Sequence, residues 1–146
     1  MKTEKPTTKI IAGKYKGKIL ELPSLDVTRS SKARLKESLF NVLQFDIIDK
    51  IFIESFAGSG SIGLEAISRG AKRAYFVELD RNSYQILLKN CKAVDMEKCQ
   101  TVQGNTFVQT PLFIKIKKNS QDEIVLYIDP PFDYRDGMED IYEKSF

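Results

Sequence analysis

The chain has 146 residues, 42% of them hydrophobic and 29% charged, which points to one domain around a single core. No apolar run is long enough to span a bilayer, and the polar, basic stretch Met1 to Ile10 lacks the hydrophobic segment of a secretory signal, so a cytoplasmic location with no membrane partner is expected. The net charge of +3 is uneven, with ten Lys/Arg against four Asp/Glu in residues 1–40 and thirteen against sixteen in the rest, a pattern that suits a basic arm for a polyanion on a mildly acidic body.

There is no histidine, and the two cysteines, Cys91 and Cys99, lack metal-ligand spacing. Neither a metal site nor a disulfide is therefore expected, and any chemistry must run on carboxylates, backbone groups or a cofactor.

In chain order, Lys9 to Leu22 reads as a hairpin in which basic residues alternate with Ile, Tyr and Leu and Gly13 and Gly17 punctuate the run. A loop over Pro23 to Arg29 leads to Ser30 or Ser31 as the cap of a helix reaching about Leu43. Leu35, Leu39, Val42 and Leu43 form its apolar stripe, and Lys32 and Lys36 share another face. From Lys50 onward strands alternate with helices. Strands are expected at Ile51 to Ile53, Ala74 to Val77, Thr101 to Gln103 and Ile124 to Ile128, the last apolar throughout as a strand buried on both faces should be. Helices are expected at about Ile62 to Arg69, closed by Gly70, at Arg81 to Val94, and more weakly after Thr106. The alternation implies an α/β fold, a parallel sheet with helices on both faces, and such sheets bind ligands beyond the C-terminal ends of their strands.

Three constellations fall at those ends. The first is Glu54-Ser55-Phe56-Ala57-Gly58-Ser59-Gly60. Its glycines permit a sharp turn and a close backbone approach to a ligand. With Gly63 they also satisfy the dinucleotide fingerprint G-x-G-x-x-G. A dinucleotide loop, however, follows its strand at once, and Glu54 would repel a pyrophosphate but suits the ammonium of an amino-acid-like ligand. An acid followed by Gly-x-Gly at this spacing is similar to the loop that holds the methionine part of S-adenosylmethionine in many methyltransferases.

The second constellation is Glu78, followed by Leu79 at the end of the next strand, where an acceptor-only side chain can take both hydroxyl protons of a ribose. Asp80 reads as the N-cap of the helix after it. The third is Asp129-Pro130-Pro131-Phe132. Two prolines fix the backbone and remove two N–H donors, leaving a carboxylate, aimed carbonyls and an aromatic face. That set suits an amino group on a planar ring, with Asp129 and the Pro130 carbonyl accepting its protons and Phe132 stacking on the base. Asn105 and Thr106 are candidates for the adenine edge of a cofactor and equally for a helix N-cap.

On these residues the chain resembles the bacterial 16S rRNA guanine-N2 methyltransferases of the RsmD type. The likeness runs through Lys9 to Gly17, Arg34 to Asn41, Phe56 to Gly60, Gly63 to Ala66, Ser68 to Ala71 and Asp129 to Phe132. It implies a Rossmann-like class I methyltransferase sheet over 46–146, preceded over 1–45 by a basic hairpin and helix that contact RNA. It also implies S-adenosylmethionine as cofactor, and a guanine of 16S rRNA, within the small subunit or an assembly intermediate, as target. Lys14, Lys16, Lys18, Arg29, Lys32, Arg34 and Lys36 are then the candidates for phosphate contacts. Two features depart from the family pattern. Glu54 stands where the family usually has Asp. The chain also ends at Phe146, before the C-terminal strands that usually complete the sheet, so either a truncated form is expected or something else covers the exposed sheet edge. Alternative readings are a DNA amine or protein glutamine methyltransferase, and a non-catalytic remnant that binds cofactor or RNA; a dinucleotide-dependent oxidoreductase is more remote.

Overall fold

The computed structural model describes residues 6–23, 29–117 and 122–129; the side chains of 29–33 and 116–117 are not described. Thr7–Lys9 (β1) pairs antiparallel with Ile19–Glu21 (β2), and Arg29–Leu43 forms helix α1. There follow β3 (Ile51–Ser55), α2 (Ser61–Ser68), β4 (Arg73–Glu78), α3 (Arg81–Val94), β5 (Cys99–Gln103), α4 (Thr106–Lys117) and β6 (Ile124–Ile128). A single 3₁₀ turn, Met96–Lys98, enters β5.

The last four strands make one parallel sheet in the order β5-β4-β3-β6. The chain winds outward from β3 through β4 to β5, then crosses back to lay β6 on the other side of β3. That reversal leaves a crevice at the C-terminal ends of β3 and β6. Side chains alternate across the sheet as strand geometry requires. Phe52, Ala74 and Phe76 join Leu64, Leu87 and Cys91 in one core under α2 and α3. Ile51, Ile53, Tyr75 and Val77 pack with Phe113 of α4 on the opposite face.

The N-terminal segment is built into the first of these cores, since Ile10, Leu20 and Phe40 are buried in the same cluster as Phe52 and Leu64. The expected hairpin pairs only three residues on each side, and its first strand begins at Thr7, before the run that suggested it. Between its strands, Ile11 to Gly17 folds as turns, with Gly13 at φ 95° and Gly17 at φ 86°. A side chain at Gly13 would place its Cβ 2.0 Å from the Ser68 carbonyl oxygen, so only glycine lets this turn lie against α2.

Helix α1 keeps half of the stripe expected of it, since Leu39 and Leu43 pack against the core, but turns the rest outward. Leu35 and Val42 are 48% and 78% exposed, whereas Lys36 is 2% exposed and Phe40 fully buried. The lysine turns inward because α2 offers it a partner. Its Nζ lies 3.5 Å from a carboxylate oxygen of fully buried Glu65 and donates to the Lys9 carbonyl at 2.9 Å. Burial holds the Lys36 ammonium below the ordinary lysine range, and Glu65 works against that shift. Lys36 is thus removed from the candidate phosphate contacts. Arg34 is exposed; Arg29 and Lys32 sit in the first turns of α1, their side chains outside the described residues.

The IVLYI strand is also less enclosed than its composition suggests, with Leu126 41% exposed. Among the described residues β6 is an edge strand, covered on one side by β3 alone. No helix among the described residues is long and apolar enough to cross a membrane.

Candidate active site

The glycine loop leaves β3 through Ser55 and turns through two left-handed residues, Phe56 (φ 58°) and Gly58 (φ 57°), before Gly60 (φ 81°) caps α2. The Ala57 N–H donates to the Val77 carbonyl and the Gly60 N–H to the Ala57 carbonyl, both at 2.9 Å, so the loop is tied to the end of β4. The Asn90 amide fixes it from α3, donating to the Ser59 carbonyl at 2.8 Å and to the Glu21 carbonyl at 2.9 Å. Above Gly58 there is open space, whereas a Cβ at Gly60 would meet Leu87 at 2.5 Å. Gly58 therefore presents bare backbone to the crevice, and Gly60 allows the loop to sit tightly on the core.

Gly63 is tighter still, since a Cβ there would lie 2.3 Å from the Phe76 ring. Gly63→Ala is expected to lower stability by about 1–3 kcal/mol through overpacking. A urea titration reads this directly, and an unchanged midpoint would mean that Phe76 yields freely.

Three carboxylates surround this loop. Glu54 at the end of β3 is 3% exposed and accepts the Gly63 N–H at 2.9 Å. Its pKa is pushed up to about 8, first by burial and then by the charges of Asp129 and Glu78; the Gly63 N–H and Lys36 oppose the shift. Glu78 accepts the Gly58 N–H at 2.7 Å on one oxygen and the Asp80 N–H at 2.9 Å on the other. A carboxylate has about four acceptor sites, so each oxygen retains capacity for a ribose hydroxyl. Asp129 follows β6, close enough that its charge also acts on the Tyr127 phenol, which burial in the first place and then the two acids hold above the ordinary tyrosine range.

These bonds separate the two readings of the glycine motif. A pyrophosphate needs free N–H groups, yet those of Gly58 and Gly63 already serve Glu78 and Glu54. The field of the crevice is negative and suits a cationic ligand. Among the described residues no group of three or more His, Cys, Asp or Glu has the arrangement of a metal site.

The other expected residues divide. Asp80 caps α3, accepting the Ser83 N–H at 2.9 Å, and Leu79 beside it is exposed. Asn105 accepts the Phe107 N–H at 2.8 Å as an N-cap side chain does. The Thr106 hydroxyl is bound to Thr110 at 2.8 Å, and Thr110 to Ser55 at 2.7 Å, so Thr106 serves a buried hydroxyl chain instead of presenting a free hydroxyl to a ligand. Pro130, Pro131 and Phe132 lie outside the described residues.

One feature escaped the sequence: a cavity of about 190 Å³ beside the crevice, lined by Phe56, Phe107, Ile114, Leu126 and Ile128 above that hydroxyl chain. The signal for it was weak, an i,i+4 threonine pair on α4 and a serine ending an apolar strand.

The strand order with its reversal beside β3, the left-handed glycine loop and the acid ending β4 define a class I methyltransferase fold. The family described as Conserved hypothetical protein 95 matches residues 8–144, and the chain belongs to this RsmD-type family. It is 37% identical over 131 residues to Ribosomal RNA small subunit methyltransferase D of Haemophilus influenzae, covering 89% of this chain and 66% of that one. The protein of the same name from Escherichia coli K12 is 36% identical over 85% of this chain and 60% of its own length. The chain thus spans less than two thirds of the length of these curated relatives. The solved structure of yhhF from Escherichia coli superposes with a TM-score of 0.72 at 32% identity, covering 95% of this chain and 72% of that one.

Proposed function

We propose that this chain is an S-adenosylmethionine-dependent methyltransferase acting on the exocyclic N2 amine of a guanine in 16S rRNA, in the cytoplasm, on the small subunit or an assembly intermediate. The observation that carries the reading is the ring of three acids, Glu54, Glu78 and Asp129, around a glycine loop whose open backbone faces the crevice. S-adenosylmethionine would supply an electrophilic methyl group on a positively charged sulfur. The chain's own residues would hold it. Glu54 faces the ammonium, the loop from Phe56 to Gly60 its amino-acid arm, Glu78 the ribose hydroxyls, and exposed Leu79 and Asn105 the adenine.

Asp129 would accept a hydrogen bond from an N–H of the target amine, aim the nitrogen lone pair and stabilise the positive charge that develops there. Pro130 and Phe132 would complete that grip. The substrate class rests on the relatives, both named for small-subunit ribosomal RNA. Segment 1–45 would contact RNA and 46–146 bind cofactor.

Calorimetric titration with S-adenosylmethionine, with NAD as control, tests the reading. Binding of the first alone, weakened at least tenfold by Glu78→Ala, is the expected result. Binding of NAD, or of neither ligand by a chain shown to be folded, would overturn it. Binding without methyl transfer to unmethylated small subunits would leave a cofactor-binding remnant.

A further inference from the structure

Three charged side chains are buried among the described residues, Lys36, Glu54 and Glu65. Arg69, 13% exposed, joins them from the end of α2. Glu65 already has close partners of its own. One oxygen accepts the Ile11 N–H at 2.9 Å, and the other accepts the Ala12 N–H at 3.1 Å and the Arg69 Nε–H at 2.7 Å. The Lys36 ammonium stands farther off, at 3.5 Å, and donates its short bond to the Lys9 carbonyl. Two cations thus share one acid, and an uncompensated charge inside a core is costly. The remaining buried acid is Glu54, and the interior is neutral when Glu54 is a carboxylate.

The packing sets Lys36 and Glu54 on facing surfaces. Lys36 and Phe40 are four residues apart on one side of α1, and Phe52 and Glu54 are two apart on one side of β3. Phe40 meets Phe52 with ring centroids 6.2 Å apart, so those two sides are in contact. Both charges also lie against α2, where Glu54 accepts the Gly63 N–H and Lys36 faces Glu65. Each favours the ionised form of the other through space. The remaining groups around Glu54 give no such help. Glu78 of β4 and Asp129 after β6 oppose its ionisation, and Cys91 of α3 and Tyr127 of β6 are a neutral thiol and phenol. Around Lys36, Glu65 supports the charge and Arg69 opposes it. An apolar side chain at position 36 would fill the space without the desolvation that a buried ammonium costs.

We propose that Lys36 is a positioning residue of the cofactor site: its buried ammonium is the counter-charge that lets Glu54 become the carboxylate on which the cofactor's ammonium settles. The proposal rests on the methyltransferase reading for the meaning of Glu54 and deepens it. Its first readout needs no cofactor, so the two fail or stand separately.

Carboxyl-carbon NMR of the free chain, titrated with pH, reads Glu54 through the signal that Glu54→Gln removes. Lys36→Met keeps the apolar stem without the charge, and is expected to raise the Glu54 midpoint by at least about 0.5 pH unit. Lys36→Arg keeps the charge and should leave the midpoint within about 0.2 pH unit of the parent chain. The affinity of Lys36→Met for S-adenosylmethionine should then fall about threefold or more at pH 7 but less than about twofold at pH 9, where Glu54 is mostly ionised in both chains. A lysine that only holds α1 in place would change the melting temperature and leave the Glu54 midpoint where it is. Because a core substitution can unfold a chain, the coupling is also read from the other side. Glu54→Gln retains an oxygen for the Gly63 N–H, and is expected to lower the Lys36 midpoint, followed by lysine nitrogen NMR, by a similar interval. An unchanged Glu54 midpoint in folded Lys36→Met, or an unchanged Lys36 midpoint in Glu54→Gln, would overturn the proposal.

Discussion

Asp129→Asn is expected to lower methyl transfer to rRNA by about 10²–10³-fold while S-adenosylmethionine affinity stays within a few-fold of the parent chain. The substitution keeps the shape of the side chain and removes its charge. An amide can still accept one hydrogen bond from the target amine, but half of it is a donor that opposes the second N–H. It also stabilises developing positive charge far less than a carboxylate. A second consequence follows from the field around Asp129, whose charge helps to hold the Glu54 carboxyl in its acid form. Removing it should bring the Glu54 pKa down and make cofactor binding less dependent on pH, even as turnover collapses. Single-turnover transfer of labelled methyl groups and titration of cofactor separate the two effects. A drop of less than about tenfold in turnover would remove Asp129 from the reacting centre.

What could be seen in one dimension was whatever depends on local spacing. Helix α3 and strand β6 lie where caps and apolar runs placed them, Gly70 at φ 111° ends α2 as expected, and the acids and glycines of the crevice fall at strand ends. What could not be seen depends on partners distant in sequence. Lys36 is a core residue because Glu65, twenty-nine positions on, neutralises it; helical periodicity alone assigns any lysine to water. Leu35 and Val42 are exposed for the complementary reason, since Phe40 packs against Phe52, with Leu39 and Leu43 beside it, and fixes that side of α1 inward. The lysine-rich turn was legible as basic, but its place at the far end of α2 follows only from the Gly13–Ser68 contact. Thr106 was legible as a polar residue at a helix start; that its hydroxyl is bound through Thr110 to Ser55 required the sheet to be assembled.

Binding of S-adenosylmethionine is expected to release a proton, with affinity greatest near pH 8. Glu54 has its pKa pushed up to about 8 by burial, Asp129 and Glu78, so at neutral pH it is mostly the neutral acid. An ammonium beside it favours the carboxylate, and the proton must leave as the pair forms. Below pH 8 the apparent affinity should therefore rise nearly tenfold per pH unit. Above it an α-amine, whose own pKa is about 7.7–8.0, loses the charge that Glu54 recognises, and affinity falls again. The sign for folding is opposite. The ordinary value of 4.5 is raised in the folded chain, so between about 4.5 and 8 the folded state holds more protons than the unfolded. Stability of the free chain should then decline as pH rises through that window, with a slope of at most about 1.4 kcal/mol for each pH unit crossed, and bound cofactor should restore it. Calorimetry at pH 7 in buffers of different ionisation enthalpy counts the proton: close to one is expected for the parent chain and none for Glu54→Gln. Equal proton release by both would place the ammonium elsewhere in the crevice, with Glu54 left as an internal anchor for the Gly63 N–H.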